Sequence, residues 1–202
     1  EWHEKIDDFS FGNFHINDFF LVDEQAKTIK FSTNRNLILM QFCLDGECIL
    51  SGLTSNTKFT FTTATHNSFY IPKGDFYLNK TSNTLNLIHI YVDEDFFFRQ
   101  MPAQHKAFEL KERNVFDAIF HSNIHIGPKI KSILVEIENC QFEAHLKTLY
   151  LKAKVIELLT LQLVDAALAT SVGLKNTEVE KMTEVKELIE NNLQTSFNLN
   201  YL

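Results

Sequence analysis

Histidine side chains are the first candidates for metal binding or proton transfer in this sequence. Eight histidines are present, and no two of them form a His-x-His pair. His121 and His125 are four residues apart, a spacing that places both side chains on one face of a helix. A catalytic metal site needs a third protein ligand and an open position. The sequence therefore predicts no bound metal and favours a structural or solvated role for this pair.

Two cysteines, Cys43 and Cys48, flank an Asp45-Gly46 dipeptide inside an apolar stretch. Asp-Gly between two apolar runs predicts a β-hairpin with a two-residue turn. In such a hairpin the cysteines form a non-hydrogen-bonded pair, with Cα atoms about 4.5 Å apart. A disulfide there is strained and easily reduced, so a redox switch is one interpretation. The favoured alternative is two small, half-buried thiols.

Polar and aromatic side chains on otherwise apolar strands are the candidates for a small-molecule pocket. His89 and Tyr91 share one face of a predicted strand, because side chains alternate along it. Gln41 has apolar neighbours on another strand, and Tyr70 and Tyr77 flank a Pro-Lys-Gly turn. Aromatic walls with a few fixed polar groups are typical of ligand pockets. We therefore predict that these five residues line a pocket; the alternative is that their faces meet water or the N-terminal arm.

The elements that position these residues are β-strands between about residues 28 and 92. KFTFTT alternates strictly between polar and apolar residues, and other short apolar runs end at Gly, Pro or Asn. Short strands at near-regular spacing, with almost no helix between them, predict a sandwich or small barrel. The first twenty residues carry Trp and Phe at no clean period, which predicts an irregular arm that packs on the body and acts as a lid.

Helices follow the strands. DEDFFFRQ predicts a short helix that ends near Pro102, and Gly127-Pro128 opens another, with Pro128 at its tolerated first turn. The longest helix is predicted from residue 142 to 169. Its apolar residues cover more than one stripe, so it is expected to bury one surface in its own domain and another against a second chain. The alternative is that a terminal helix at 178–193 folds back and covers this second surface. The predicted dimer interface consists of Leu149, Ala153, Ile156 and Leu163.

Composition restricts the class of protein. The net charge of −7 argues against this chain binding nucleic acid by itself, since phosphate neutralisation needs a basic surface. No apolar run reaches the roughly 18 residues that a membrane span needs. Three cysteines, an odd number, fit a reducing compartment better than a disulfide framework. We therefore expect a cytoplasmic protein that does not enter the membrane.

Residues 146–163, LKTLYLKAKVIELLTLQL, resemble the linker helix of the AraC-type transcription regulators, in the subgroup that includes the pyochelin-responsive regulator. The matching positions are Leu149-Tyr150-Leu151, Lys154, and the run from Glu157 to Leu163. The preceding IGPKIKSILVEIENCQF is similar to the same subgroup. The tail VKELIENNLQTSFNLNYL resembles the opening of the family's DNA-binding domain. The resemblance is strong from residue 126 onward and loose in the β region.

The resemblance implies an α+β fold, in which an N-terminal cupin-like β-barrel or jelly roll precedes a helical dimerisation segment. The implied divisions are an effector-binding β domain with its arm at 1–100, a helical linker and dimerisation segment at 101–172, and a truncated start of a helix-turn-helix domain at 173–202. In that last segment Thr177 and Glu180 form a capping box for a helix at 178–193. Two helix-turn-helix motifs are expected to bind DNA in the intact protein.

The implied function is the ligand-sensing and dimerisation part of a DNA-binding transcription regulator. Its expected partners are a small-molecule effector of unknown identity and a second copy of the chain, with DNA bound only through the missing C-terminal domain; no cofactor and no catalysis are expected. One alternative is an atypical or metal-independent cupin enzyme, because many cupins are oxygenases or isomerases. Another is a ligand-free dimerisation module, favoured if Phe side chains fill the barrel. The sequence identifies neither the effector nor the operator, nor the sign of the response.

Overall fold

The computed structural model describes residues 3–23, 25–53, 57–102, 105 and 107–171. The strands in this part are β1 (His3–Phe11), β2 (Phe14–Val22), β3 (Lys27–Thr33), β4 (Leu37–Gly52), β5 (Lys58–Phe61), β6 (Thr65–Ile71), β7 (Gly74–Asp93), β8 (Asp117–Ala118) and β9 (Ile124–His125). The helices there are α1 (Glu94–Gln100), α2 (Ala107–Arg113), α3 (Pro128–Glu138) and α4 (Ala144–Ser171). The predicted α+β class is therefore confirmed.

The chain divides into two compact units, Glu1–Ala166 and Ala167–Leu202. The first unit contains β1 to β9, α1, α2, α3 and most of α4. Of the second unit, only the C-terminal end of α4 belongs to the described residues. The predicted capping box at Thr177 and Glu180 and the predicted helix at 178–193 lie outside the described residues.

Two long antiparallel strands, β4 and β7, organise the sheet. They pair from Leu37 opposite Asp93 to Gly52 opposite Phe76. The first half of β4 also pairs with β6, and its second half pairs with β5. Correspondingly, β2 joins the second half of β7 and β3 joins the first half. Each long strand therefore belongs to two parts of the sheet, which enclose a common apolar interior.

The hairpin predicted at Asp45-Gly46 is wrong, because β4 continues through both residues. The register with β7 shifts between Cys43 and Asp45 and again between Gly46 and Cys48, which marks β-bulges. Gly46 has φ +88°, and a Cβ added to it would clash with the backbone oxygen of Thr84. A glycine that tolerates positive φ is needed for a bend within a strand as well as for a turn between two strands. The Asp-Gly dipeptide therefore does not distinguish a bulge within one strand from a turn between two strands.

The sheet separates two buried clusters. The interior cluster lies between the two parts of the sheet, and its fully enclosed members include Leu39, Leu50, Phe61, Phe69, Leu78 and Leu87. The helix-side cluster joins the opposite face of β4 and β7 to the helices; it includes Ile38, Met40, Ile88, Ile90, Val92, Phe97, Leu134, Val155 and Leu158. Because side chains alternate along a strand, neighbours such as Leu39 and Met40 belong to different clusters.

The helices predicted after Asp93, after Gly127 and from about residue 142 are confirmed as α1, α3 and α4. Local signals explain where α1 and α3 begin. Asp93 caps α1 by accepting a hydrogen bond from the backbone N–H of Phe96 at 3.1 Å. Pro128 occupies the first turn of α3.

The N-terminal arm is more regular than predicted: β1 and β2 pair from His3 opposite Val22 to Phe11 opposite Phe14. The turn between these strands interrupts the alternation, so no single period runs through the segment.

A buried amide links α4 to the sheet. Gln162 on α4 is fully buried, and its Oε1 accepts a hydrogen bond from Ser68 Oγ at 2.7 Å. Its Nε2 lies 3.0 Å from His66 Nδ1. Burial, and then the charge of His125, lower the pKa of His66 from 6.5 to about 4, so the imidazole is neutral at pH 7 and accepts this hydrogen bond. The two contacts fix the position of α4 against β6.

Candidate functional site

Three of the five predicted pocket residues meet inside the barrel and form a polar chain. His89 Nε2 lies 3.0 Å from Gln41 Oε1, and His89 Nδ1 lies 3.2 Å from the hydroxyl of Tyr91. Gln41 Nε2 donates to Cys48 Sγ at 3.7 Å. An amide oxygen accepts, so His89 carries its proton on Nε2 and receives the Tyr91 O–H on Nδ1. Both ring nitrogens of His89 therefore have a hydrogen-bond partner when the imidazole is neutral.

The surroundings of His89 keep it neutral. Its side chain is fully buried, and the rings of Phe19 and Phe31 lie with centroids 5.2 Å and 5.5 Å from its own. Burial lowers the pKa of His89 from 6.5 to about 3. A charged imidazole in this apolar enclosure would lose its hydration without gaining a carboxylate partner. His89 therefore acts at neutral pH as a hydrogen-bonding group.

An open cleft of about 690 Å³ lies at the mouth of the barrel. Tyr91 lines this cleft and is 8 % exposed, whereas Gln41 and His89 behind it are fully buried. The cleft is also lined by residues of β1, β2, β3, the start of β4, the first half of β7 and the segments that follow β3 and β6: Ser10, His15, Asn17, Phe31, Ser32, Thr33, Asn34, Arg35, Leu37, Lys73 and Phe76. Its volume is in the range of small-molecule sites.

The other two predicted pocket residues lie elsewhere. Tyr70 is in the helix-side cluster, and its hydroxyl donates to Asn114 Oδ1 at 3.4 Å. Burial, followed by the neighbouring Glu94, raises the pKa of Tyr70 to about 12. Tyr77 is half-buried on the outer face of β7, since its neighbours Phe76 and Leu78 enter the interior cluster. The sheet therefore separates both tyrosines from the hydrogen-bonded residues Gln41, His89 and Tyr91.

The two cysteines of β4 are free thiols in the barrel interior. Because the bulges lie between them, Cys43 and Cys48 enter the same cluster although they are five positions apart on one strand. A hydrogen bond with Cys43 and then burial raise the pKa of the Cys48 thiol. Neither side chain is accessible to solvent. Both features disfavour the reactive thiolate form.

The predicted histidine pair does not share a helix, because His125 is in β9 and His121 precedes that strand. Among the described residues, no three His, Cys, Asp or Glu side chains lie close enough together to hold a metal ion. In the same part of the chain, no helix is long and apolar enough to cross a membrane.

Three residues of the predicted dimer interface form an exposed stripe on α4. Leu149 is 66 % exposed and Ile156 is 45 % exposed, and Ala153 between them is exposed as well. Leu163 is only half-exposed and packs against the helix-side cluster. On the other side of α4, Leu151, Val155, Leu158 and Leu159 are buried in that cluster. The helix therefore buries one apolar surface in its own unit and exposes another.

Several residues of the cleft were not predicted from the sequence. Asn17, Phe31, Arg35, Lys73 and Phe76 come from segments that are separate in the chain and carry no local pattern of a binding site. They come together because β2 and β3 pair with different halves of β7. To predict these cleft residues, the sequence would have had to show that β2 and β3 pair with β7.

The described part of the chain is a curled sheet with a cleft at its mouth and helices on its outer face. The model of the family described as Regulatory protein PchR N-terminal domain matches residues 13–174. The chain belongs to this family. It is the ligand-sensing part of a transcription regulator, as the sequence analysis predicted.

Solved structures similar to the chain include regulators and cupins. The apo form of a ToxT variant from Vibrio cholerae shares 11 % identity at a TM-score of 0.49, with 94 % of this chain and 68 % of that chain covered. A cupin superfamily protein from Desulfitobacterium hafniense shares 10 % identity at a TM-score of 0.36, covering 46 % of this chain and 79 % of that one. An HTH_3 family transcriptional regulator from Vibrio cholerae shares 14 % identity at a TM-score of 0.36, covering 44 % and 50 %. A search of curated proteins found none that matches.

Proposed function

We propose that this chain binds a small-molecule effector in the cleft beside Tyr91 and transmits its presence to α4, which joins two copies of the regulator. The observation that carries the proposal is the alternation of side chains on β7. Tyr91 lines the cleft, while its neighbours Ile90 and Val92 pack in the helix-side cluster. An effector that displaces this part of β7 also changes the packing beneath the helices, and a close-packed core responds by rearranging.

The exposed stripe on α4 supports a homodimer. Leu149, Ala153 and Ile156 recur at the three-four spacing of a coiled-coil seam. Two copies that meet along this seam around a two-fold axis bury it without any further partner, and cyclic dimers are the commonest closed assembly. We propose that Leu163 lies at the edge of this seam, where it also contacts its own core.

In the intact protein, we propose, the effector controls DNA binding. DNA binding is assigned to the region from residue 173 onward and to the helix-turn-helix domain that it begins, after the β domain at 1–100 and the helical segment at 101–172. The effector shifts the distribution between arrangements of the dimer and so changes DNA affinity, which is a linkage between two sites. We further propose a cytoplasmic location and no catalytic activity.

A screen by thermal shift, followed by NMR of the 202-residue chain, tests the effector site. A metabolite that stabilises the protein should perturb the amide signals of cleft residues, and Tyr91→Ala should weaken its binding at least about tenfold. Tyr77→Ala is the matched control, because it removes the same side chain from the outer face of the same strand. Equal losses in the two variants, or signals that move only along the helices, would contradict the assignment.

The second candidate function is a dimerisation module that binds no ligand. It is favoured by the Phe side chains that fill the barrel. Phe19, Phe61 and Phe69 are almost completely enclosed in the interior cluster, which leaves the cleft at the mouth as the space for a ligand. Under this alternative a Trp that fills the cleft, placed by Ser32→Trp, leaves regulation in cells unchanged. Under the effector proposal the same variant abolishes the response while the protein stays folded and dimeric.

A further inference from the structure

We infer that Cys43 and Cys48 form a modification site: a pair of thiols that hydrogen peroxide converts into a disulfide inside the barrel. The inference does not depend on the proposed effector, because the reaction takes place in the barrel interior and needs no ligand in the cleft. It rests on the bend of β4, on the contacts of the two thiols and on the short strand beside Cys48.

The bend of β4 brings together side chains that a regular strand would keep apart. Gln41 and Cys48 are seven positions apart, and in a regular strand they would be separated by about 23 Å and point to opposite faces. Here Gln41 Nε2 lies only 3.7 Å from Cys48 Sγ, because both bulges of β4 lie between the two residues. Cys43 lies on the same face as Gln41, two positions along the strand. The same bend therefore brings the two cysteines together.

The two thiols contact each other and the backbone of the bulge. Cys43 Sγ donates to the backbone oxygen of Gly46 at 3.5 Å, and Cys48 forms a hydrogen bond with the Cys43 thiol. A disulfide between distant positions requires the backbone to move before the sulfurs can meet. In this pair the bulges have already placed the sulfurs next to each other, so rotation of the side chains completes the approach.

The closed barrel protects the pair, and the strand beside Cys48 provides access. Both cysteines are fully buried, and a buried thiol stays in its protonated, unreactive form. Cys48 is opposite Phe61 on β5, a strand of four residues that, within the described part of the chain, pairs with β4 alone. A short strand of this kind opens at a lower free energy than the whole protein. Oxidation therefore begins when β5 separates from β4 and Cys48 meets solvent.

The reaction has two steps. The Cys48 thiolate attacks one oxygen of hydrogen peroxide, the O–O bond breaks, and the products are a sulfenic acid and a hydroxide that takes up the thiol proton to become water. The Cys43 thiol then attacks the Cys48 sulfur, the S–O bond breaks, and the S–S bond forms with release of a second water molecule. In total the two thiols lose two electrons and two protons, which reduce the peroxide to two water molecules.

The disulfide alters a series of hydrogen bonds that ends at the cleft. Gln41 donates to Cys48 and accepts from His89, which in turn accepts from Tyr91. Movement of Cys48 Sγ into an S–S bond changes its contact with Gln41, and the amide passes the change to the imidazole. Oxidation should therefore shift the NMR signals of His89 and Tyr91, and dithiothreitol should return them to their original positions.

Peroxide treatment of the folded 202-residue chain tests the site. Cys140→Ser removes the third thiol, so that the labels count the pair alone. After treatment the protein is unfolded in N-ethylmaleimide and its mass is measured. We expect the loss of both labels, a mass about 2 Da below that of the unlabelled reduced protein, and a disulfide-linked peptide that contains Cys43 and Cys48.

Two variants identify the role of each cysteine. Cys43→Ser leaves a sulfenic acid on Cys48 without its partner, so dimedone should trap it there. Cys48→Ser is the matched control, because it keeps Cys43 buried and removes the thiol beside β5; it should give at most about a fifth of that dimedone adduct. Equal adducts would overturn the assignment of Cys48 as the attacking thiol. Circular dichroism shows whether each variant is folded, and the linked peptide from Cys140→Ser tests the pair without either variant.

The other outcomes would overturn parts of the inference. Two labels on treated Cys140→Ser protein, under conditions in which the same chain unfolded in urea takes up none, would show that the folded pair is inert. A loss of labels with an increase in mass would indicate separate sulfinic acids and overturn the disulfide. A disulfide that forms without any change in the His89 and Tyr91 signals would overturn the connection to the cleft.

Discussion

At the scale of single residues, His89 shows how burial decides the chemistry of a side chain. It is enclosed by aromatic rings and accepts one hydrogen bond while donating another, so it is stable only as the neutral imidazole. Unfolding returns it to water, where its pKa is 6.5, compared with about 3 in the folded protein. Between these values the unfolded state binds more protons, so the free energy of unfolding falls as the pH falls.

His89→Gln should therefore reduce the pH dependence of stability. Lowering the pH from 7 to 5 costs the wild type about 2 kcal/mol through His89 alone, and this part should disappear in the variant. Denaturant unfolding at several pH values measures it. His121→Gln, at an exposed histidine, serves as the control. A variant that keeps the full wild-type slope below pH 6.5 would show that His89 is not buried in its neutral form.

At the scale of elements, the bulges of β4 have the largest structural consequence. They bend the strand so that its two halves join different neighbours, and they bring Cys43 and Cys48 into one cluster. The bend depends on Gly46, whose backbone conformation and closeness to Thr84 exclude a side chain. A strand without this bend would not close over the interior.

Gly46→Ala should lower the free energy of unfolding by at least about 2 kcal/mol, because an added Cβ meets backbone and occupies a disfavoured φ region. The midpoint of urea denaturation measures the loss. Gly127→Ala is the matched control: φ is −69° there, and no atom lies within 4 Å of the added Cβ. It should change stability by about 1 kcal/mol or less. Similar losses in both variants would argue against a specific role for the bulge.

At the scale of the whole molecule, α4 carries the surface through which we propose that two copies of the chain associate. One side of the helix is covered by its own core, and Gln162 fastens that side to β6. The opposite side exposes Leu149, Ala153 and Ile156. Exposed apolar residues that follow one another along a helix in this way support the proposed interaction site.

Leu149→Lys combined with Ile156→Lys should convert the proposed dimer into a folded monomer, because two charges on each helix would have to be buried in the interface. Sedimentation equilibrium at micromolar concentration measures the mass. Val135→Lys is the control, since Val135 on α3 is 46 % exposed but lies outside the stripe. A wild-type mass of one chain would overturn the dimer, and a monomeric control variant would place the interface on a different surface.

The sequence by itself determined the features that depend on neighbouring residues. Asp93, Pro128 and the apolar spacing of residues 144–171 mark where α1, α3 and α4 form, because caps and periodicity act over one or two turns. The alternation of side chains along β7 placed His89 and Tyr91 on one face of the strand. The resemblance at residues 146–163 also identified the family.

Only the tertiary structure decided which distant segments meet. Asp45-Gly46 has the same local preference in a hairpin as in a bulge, and the pairing of β4 with β7 selects the bulge. Tyr70 was separated from His89 because the alternation of β6 directs it to the helix-side cluster. The cleft joins Asn17 and Lys73 through strands that pair across long intervals of sequence, and such contacts leave no trace in the periodicity of any one segment.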